Sequence, residues 1–192
     1  MSTHLYDKRA ELPHLTDSRL CLRLLLPREC QMMVDFRIEN RHFLKPWEPA
    51  RPPEFYTRKY WQRNLEYNIQ DFHNDDTVAF SILNPEETEV LGVVNYTSIV
   101  RGTFQACHLG YALAQKYQGQ GIMSAALELS TAYMFHVRRL HRIMANYMPR
   151  NKRSGEVLRR LGFTVDGKAR SFMQINGRWE DHVLTSLVNP TD

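Results

Sequence analysis

Few of the features that mark a specialised class are present in this 192-residue chain. No apolar run approaches the ~20 residues that a bilayer-crossing helix needs. The first residues are polar and lack the pattern of a secretory leader. Cysteine is scarce: Cys21, Cys30 and Cys107 are an odd count without scaffold spacing, which argues against a disulfide framework and fits free thiols in a reducing cytoplasm. No Cys/His cluster has metal-ligand spacing, so no metal is expected. A Walker-type Gly-x-x-x-x-Gly-Lys-Ser/Thr is missing, which argues against a nucleotide hydrolase. Strong charge of one sign is missing too. The formal net charge of +4 gives mild attraction to polyanions, weaker than that of a dedicated nucleic-acid binder. With 43% hydrophobic and 24% charged residues, the chain is not a disordered one.

Residues 1–13 read as a tail and 14–192 as a single domain. Arg19–Leu26 reads as a first strand, and Pro27 opens a helix to about Phe43. Lys45-Pro46-Trp47-Glu48-Pro49 and Pro52-Pro53 then make a loop. Tyr56, Tyr60, Trp61, Leu65 and Ile69, at helical spacing, predict a second helix over Phe55–Phe72. Thr77–Leu83, Val90–Val100 and Phe104–Leu113 read as an antiparallel meander. A helix to about Val137 follows, with Ile122, Ala126, Leu129 and Tyr133 on one face. Arg142–Tyr147 is a further strand, stopped by Pro149. A short helix capped by Asn151 or Ser154 ends at Leu161-Gly162. Phe172–Ile175 and His182–Val188 pair across Asn176-Gly177. The order is β-α-α-β-β-β-α-β-α-β-β, an α/β (α+β) class with a mixed, mostly antiparallel central sheet flanked by helices.

The most informative stretch is Tyr117-Gln118-Gly119-Gln120-Gly121-Ile122-Met123-Ser124, between a strand and the long helix. Two glycines permit a tight turn and leave amides uncovered. The helix start adds unpaired N–H groups and the positive end of its dipole, a corner that binds phosphate or pyrophosphate. A dinucleotide fingerprint is incomplete: Ser124 stands at the third glycine position, and the region about twenty residues on reads Arg139-Leu140-His141-Arg142, with no acidic residue.

Gln118-Gly119-Gln120-Gly121 resembles the coenzyme A signature of the GNAT superfamily of N-acetyltransferases. His108–Leu113 resembles that family's fourth strand. Asn151-Lys152-Arg153-Ser154 with Leu161-Gly162-Phe163 resembles its Asn-x-x-Ser…Leu-Gly-Phe motif, and Thr16–Leu20 its opening strand. Within the superfamily, Asn40–Pro49, Val100-Arg101-Gly102, Met144–Pro149 and Gly177–Leu184 are similar to the RimJ-type ribosomal-protein-alanine N-acetyltransferases. The resemblance implies a GNAT fold, acetyl-coenzyme A as co-substrate, and the N-terminal alanine of the fifth small-subunit ribosomal protein as acceptor. It departs at Met123, which replaces the last small residue of the glycine signature. It departs also at Leu158, where many relatives carry a tyrosine that protonates the leaving thiolate.

The resemblance also distributes roles. Gln118, Gly119, Gln120, Gly121, Ile122, Met123 and Ser124 would cradle the cofactor diphosphate. The backbone of Tyr111, Ala112 and Leu113 would hold the pantetheine arm, with an N–H near Ala112 or Leu113 as oxyanion donor. Ser154 would give a proton to sulfur and Asn151 would hold the cofactor, although both also suit the start of a helix. His108 stands where many relatives have a glutamate base, and is otherwise a half-exposed strand histidine. Glu48, beside Trp47, is the other base candidate or a substrate contact, with Trp47 and Tyr147 also on the substrate side. Cys107 would permit a covalent route, which the fold makes less apt than direct transfer. Arg150, Lys152, Arg153, Arg159 and Arg160 face cofactor phosphates or ribosomal RNA, or make a solvated helix face. Two rival functions stay open: transfer to another small amine or peptide, and a ribosome-assembly or RNA-associated factor without catalysis.

Overall fold

The structure, a computed structural model, describes residues 11–191. Most of the expected tail lies outside the described residues. Eight strands form one sheet: β1 (His14–Thr16), β2 (Cys21–Arg23), β3 (Val78–Leu83), β4 (Val90–Val100), β5 (Ala106–Leu113), β6 (Arg142–Tyr147), β7 (Thr164–Ile175) and β8 (Arg178–Val188). Their spatial order is β1-β2-β3-β4-β5-β6-β8-β7. Every neighbouring pair is antiparallel except β5–β6. That exception follows from the connection, because two parallel neighbours need a crossover and here a helix supplies it. The helices are α1 (Cys30–Glu39), α2 (Arg41–Leu44), α3 (Arg58–His73), α4 (Ile122–His136) and α5 (Lys152–Arg160).

Each face of the sheet buries its own cluster. Ile122, Ala126 and Tyr133 of α4 pack on Val94, Cys107 and Leu109. Met33 and Val34 of α1, with Trp61 and Leu65 of α3, pack on Val90 and Val93. Consecutive Val93 and Val94 therefore serve opposite faces, as the two-residue period of a strand requires. Leu129, expected on the buried face of α4, is only half-buried.

Three expectations need correction. The strand expected over Arg19–Leu26 is shorter and belongs to a hairpin: Asp17 Oδ1 accepts from the backbone N–H of Arg19 at 2.7 Å and Leu20 at 3.0 Å, turning the chain between β1 and β2. The helix expected to run to Phe43 breaks at Asn40. Asn40 Nδ2 donates to the Phe36 carbonyl at 2.9 Å, and its Oδ1 accepts from the Gln115 N–H at 2.9 Å. That side chain ties the break to the loop after β5. The last hairpin is longer than expected, because β7 begins at Thr164. β7 is an edge strand with bulges after Val165 and after Ala169, so its mostly exposed residues show no clean alternation. Its turn has only two residues: Ile175 pairs with Arg178, and Asn176 and Gly177 take φ of 45° and 81°, the left-handed pair that such a hairpin demands.

Candidate active site

The parallel pair does not run the full length of β5. Ala106–Leu109 match Arg142–Ala145, and there the pairing stops. Beyond that point β5 stays bonded to β4 as far as Leu113, while β6 stays bonded to β8 as far as Tyr147. The sheet opens into a wedge between the two strands. The direction of the free amides follows from alternation. The Ala114 N–H donates to the Leu91 carbonyl of β4 at 2.8 Å. Ala112 and Gly110, two and four residues earlier, point the same way, and Tyr111 and Leu113 present their N–H groups to the open edge. Of the two N–H groups expected from sequence to serve as oxyanion donors, that of Leu113 faces the open edge and that of Ala112 faces β4; that of Tyr111 faces the open edge too.

At the mouth of the wedge stands the glycine loop. Gly119 and Gly121 have φ of 75° and 76°, and Gly121 is the residue from which α4 starts. A Cβ on Gly119 would meet no atom within 4 Å, so its surroundings are open. Gln118 Nε2 donates to the Leu113 carbonyl at 3.1 Å, fixing the loop to the end of β5. Next to it is a cavity of about 500 Å³, lined by Gln118, Gly119, Gly121, Ile122, Met123 and Ser124 on one side. Lys152, Arg153 and Arg160 of α5 line the other, with Glu156 among them accepting from Arg159 at 3.0 Å. Uncovered amides opposite three cations fit a diphosphate.

This cavity shares Leu113, Gln118, Met123 and Val157 with a larger one of about 700 Å³. The larger cavity runs along the wedge and brings together Tyr111, Ala112, Leu113, Tyr147, Asn151 and Ser154 with Trp47 and Glu48 from the Pro-rich loop. Thus nearly every site residue expected from sequence lies on one continuous groove. Gln120 lines neither cavity; its Nε2 donates to the Lys116 carbonyl at 2.9 Å, and it is exposed. His108 is exposed and also lines neither. It pairs in register with Met144, at a level where β5 and β6 are still joined and no opening exists.

Within the groove, Tyr111 and Ser154 meet. Their hydroxyls are 2.8 Å apart, and Tyr111 Oη also donates to the Ser154 carbonyl at 3.2 Å. Burial pushes the Tyr111 phenol up to about 12, so it keeps its proton at neutral pH. Asn151 Oδ1 accepts from the Ser154 N–H at 3.2 Å and caps α5, which fixes the start of that helix against the groove. Gly155 lets Tyr147 lie on α5: a Cβ there would come within 2.8 Å of the tyrosine ring. Leu158 is 1% exposed in the core and carries no proton to give, so a donor to sulfur must come from another residue. Burial pushes the Cys107 thiol up to about 12, which leaves it a poor nucleophile.

The Pro-rich loop is pinned. Glu48 Oε1 accepts from Arg37 Nη1 at 2.9 Å, and its Oε2 lies 3.6 Å from Arg51 Nε. The Glu48 carbonyl accepts from the Asn176 N–H at 3.1 Å. The Arg150 guanidinium lies 5.0 Å from the centre of the Trp47 ring and donates to the Pro46 carbonyl at 3.0 Å. Glu48 is therefore an anchored carboxylate with both oxygens engaged, unlike a free surface base. Sequence reasoning missed Arg37, Arg150 and Asn176 as supports and the Tyr111 hydroxyl as a partner of Ser154. The hydroxyl pair spans 43 residues, and no local pattern signals it.

The Acetyltransferase (GNAT) domain family matches residues 19–164, most of the chain. The chain belongs to the GNAT acetyltransferases. Acetyl-coenzyme A is the acetyl donor of this family, and the groove fits it. The chain is 45% identical to the [Ribosomal protein uS5]-alanine N-acetyltransferase of Escherichia coli K12, over 97% of each. It is similar in structure to the ribosomal-protein-S5-alanine acetyltransferase of Vibrio fischeri, at a TM-score of 0.89 and 37% identity, covering 93% of this chain and 97% of the other. Mycobacterium smegmatis RimJ, solved with a coenzyme A disulfide, shares the fold at a TM-score of 0.83 and 24% identity, over 92% and 86%. Among the described residues, no helix of this GNAT enzyme is long and apolar enough to cross a membrane.

Proposed function

We propose that this enzyme acetylates the N-terminal alanine of the fifth small-subunit ribosomal protein by direct transfer. The observation that carries the reading is the single groove joining the glycine loop to Trp47 and Glu48, in a chain so similar to two enzymes named for that acceptor. Residues 14–192 act as one catalytic unit, and the place of action is the cytoplasm, where ribosomal proteins are made.

Acetyl-coenzyme A supplies an acetyl thioester, whose carbonyl an uncharged amine attacks. The loop over 118–124 and Asn151 hold the donor, and the N–H groups of Tyr111 and Leu113 receive the charge that grows on the carbonyl oxygen. Trp47, Glu48 and Tyr147 hold the acceptor end. As the new C–N bond forms and the C–S bond breaks, Ser154 gives its proton to sulfur and Tyr111 gives its own to Ser154. Tyr111 regains one from water, which takes up the proton the amine loses. No strong base is required: an α-amine of pKa near ~8 costs about 1.4 kcal/mol to neutralise at pH 7, against about 4.6 kcal/mol for a lysine near ~10.4. The exposed cations Arg153, Arg159 and Arg160 give the same enzyme a face toward ribosomal RNA or a pre-ribosomal particle.

Thiol release from acetyl-coenzyme A tests the acceptor, using two peptides that share an internal lysine. Turnover is expected with a free N-terminal alanine and not with the blocked N-terminus. Turnover with the blocked peptide alone rejects the α-amine reading.

A further inference from the structure

Beside the acceptor end of the groove lies a separate cavity of about 470 Å³, walled by α1, α2, the Pro-rich loop and the β7–β8 turn. It shares Leu44, Glu48 and Pro49 with the groove, so the two are adjoining rooms. Its charges are unbalanced. Arg37, Arg41, Lys45 and Arg51 line it, and among the described residues Glu48 is the only carboxylate that does. Glu48 engages Arg37 and Arg51. Among the described residues, Arg41 and Lys45 have no ion pair; Arg41 lies 4.5 Å from the centre of the Tyr56 ring.

Arg37 sharpens the point. It is 7% exposed and packed against the rings of Phe36, Phe55 and Trp61 at 5.1–5.4 Å. Its Nε has no hydrogen-bond partner among the described residues. Burying a guanidinium is costly unless an anion is near; Glu48 is that anion for Arg37, which leaves Arg41 and Lys45 as the charges open to an incoming one. The ion pair with Glu48 already shows that a carboxylate fits these side chains.

We propose that this cavity receives an aspartate or glutamate side chain of the acceptor polypeptide, a few residues after the amine that reacts in the groove. The proposal rests on the α-amine reading above. A polypeptide suits the cavity better than an RNA backbone does, because the two rooms share a wall and the acceptor chain already occupies the first. Extended chain advances only ~3.3 Å per residue, so the carboxylate belongs within the first handful of positions. Arginine forks recognise carboxylates through paired donors, which gives geometric selectivity beyond simple charge.

The test uses the full-length enzyme and peptides with N-terminal alanine and otherwise neutral residues, in which one glutamate is moved through positions two to six. One position, or two neighbouring ones, is expected to lower KM about tenfold relative to the all-glutamine peptide, with kcat changed less than about threefold. Arg41→Glu and, separately, Lys45→Glu should erase that preference and favour lysine at the same position, while coenzyme A binding stays intact. Equal KM for all peptides overturns the proposal while leaving the α-amine reading standing. So does a positional preference that survives both charge reversals. Inhibition by an RNA oligonucleotide that both reversals relieve, without any positional effect, assigns the cavity to phosphate and also overturns it. Turnover of no alanine peptide at all overturns the acceptor reading and this proposal together.

Discussion

Tyr111 and Ser154 place their hydroxyls 2.8 Å apart at the open edge of β5, joining a strand residue to the first turn of α5. Either oxygen can donate, so the pair can pass a proton outward and refill. In the proposed mechanism this pair takes the part of the tyrosine that Leu158 replaces. Ser154→Ala should lower kcat about 100-fold, in the range of general acid catalysis, with KM for acetyl-coenzyme A changed less than about threefold. Tyr111→Phe should lower kcat less, because Ser154 can still draw a proton from water. Steady-state thiol release reads both, and an unchanged rate in Ser154→Ala removes the pair from the mechanism.

The left-handed backbone of the glycine loop makes a separate prediction. Gly119→Ala forces a Cβ into φ of 75°, a strain of ~1–2 kcal/mol, and fills space next to the amides. Gly121→Asp adds a negative charge where the diphosphate is to dock. Calorimetry should show coenzyme A affinity falling about tenfold in the first and further in the second, while KM for the peptide barely moves. Tighter binding in the aspartate variant would contradict an anion cradle.

Gly155 and Tyr147 supply a steric test. The methyl of Gly155→Ala would sit 2.8 Å from the tyrosine ring, so the ring or α5 must move. Overpacking of this kind costs ~1–3 kcal/mol. Urea denaturation should register that loss, and peptide KM should rise because Tyr147 lines the acceptor groove. Pairing the change with Tyr147→Leu should recover most of the stability.

Asp75 sets a pH limit on the fold. Burial alone would raise its carboxyl, but the hydrogen bond from Arg101 and the charge of buried Arg138 overcome that and hold it below its usual range. A depressed folded-state pKa contributes stability above the unfolded value, and the contribution is lost as pH falls through the folded value. Asp75→Asn should therefore destabilise the enzyme at pH 7 by about 2 kcal/mol, reduced from a fully buried pair because Asp75 is 34% exposed. Asparagine tolerates φ of 63°, so the backbone adds no penalty. The gap from the parent protein should narrow below about pH 3.8, as urea midpoints across pH will show.

Much of the architecture is legible because it is written locally. The Asn176-Gly177 turn, the glycine loop and the cap at Asn151 each depend on a few consecutive residues. What escaped depends on partners far along the chain or on a broken pattern. The first part of β7, before Phe172, hides because an exposed edge strand with two bulges has no alternation to read. Glu48 looks like a surface carboxylate until Arg37, on α1, is seen to hold it at 2.9 Å. His108 looks like a base because of its place in a motif. The register shows that β5 and β6 have not yet parted at its level. Which of the Ala112 and Leu113 N–H groups faces the wedge needed one observed hydrogen bond, from Ala114 to Leu91, to set the phase of the whole strand.

The most direct test is a crystal structure with coenzyme A bound. The diphosphate should rest on the amides of residues 118–124 opposite α5. The pantetheine arm should enter the wedge along Tyr111–Leu113, with its sulfur near Ser154 Oγ. A diphosphate bound at any other surface, with the wedge empty, would contradict the account at its base.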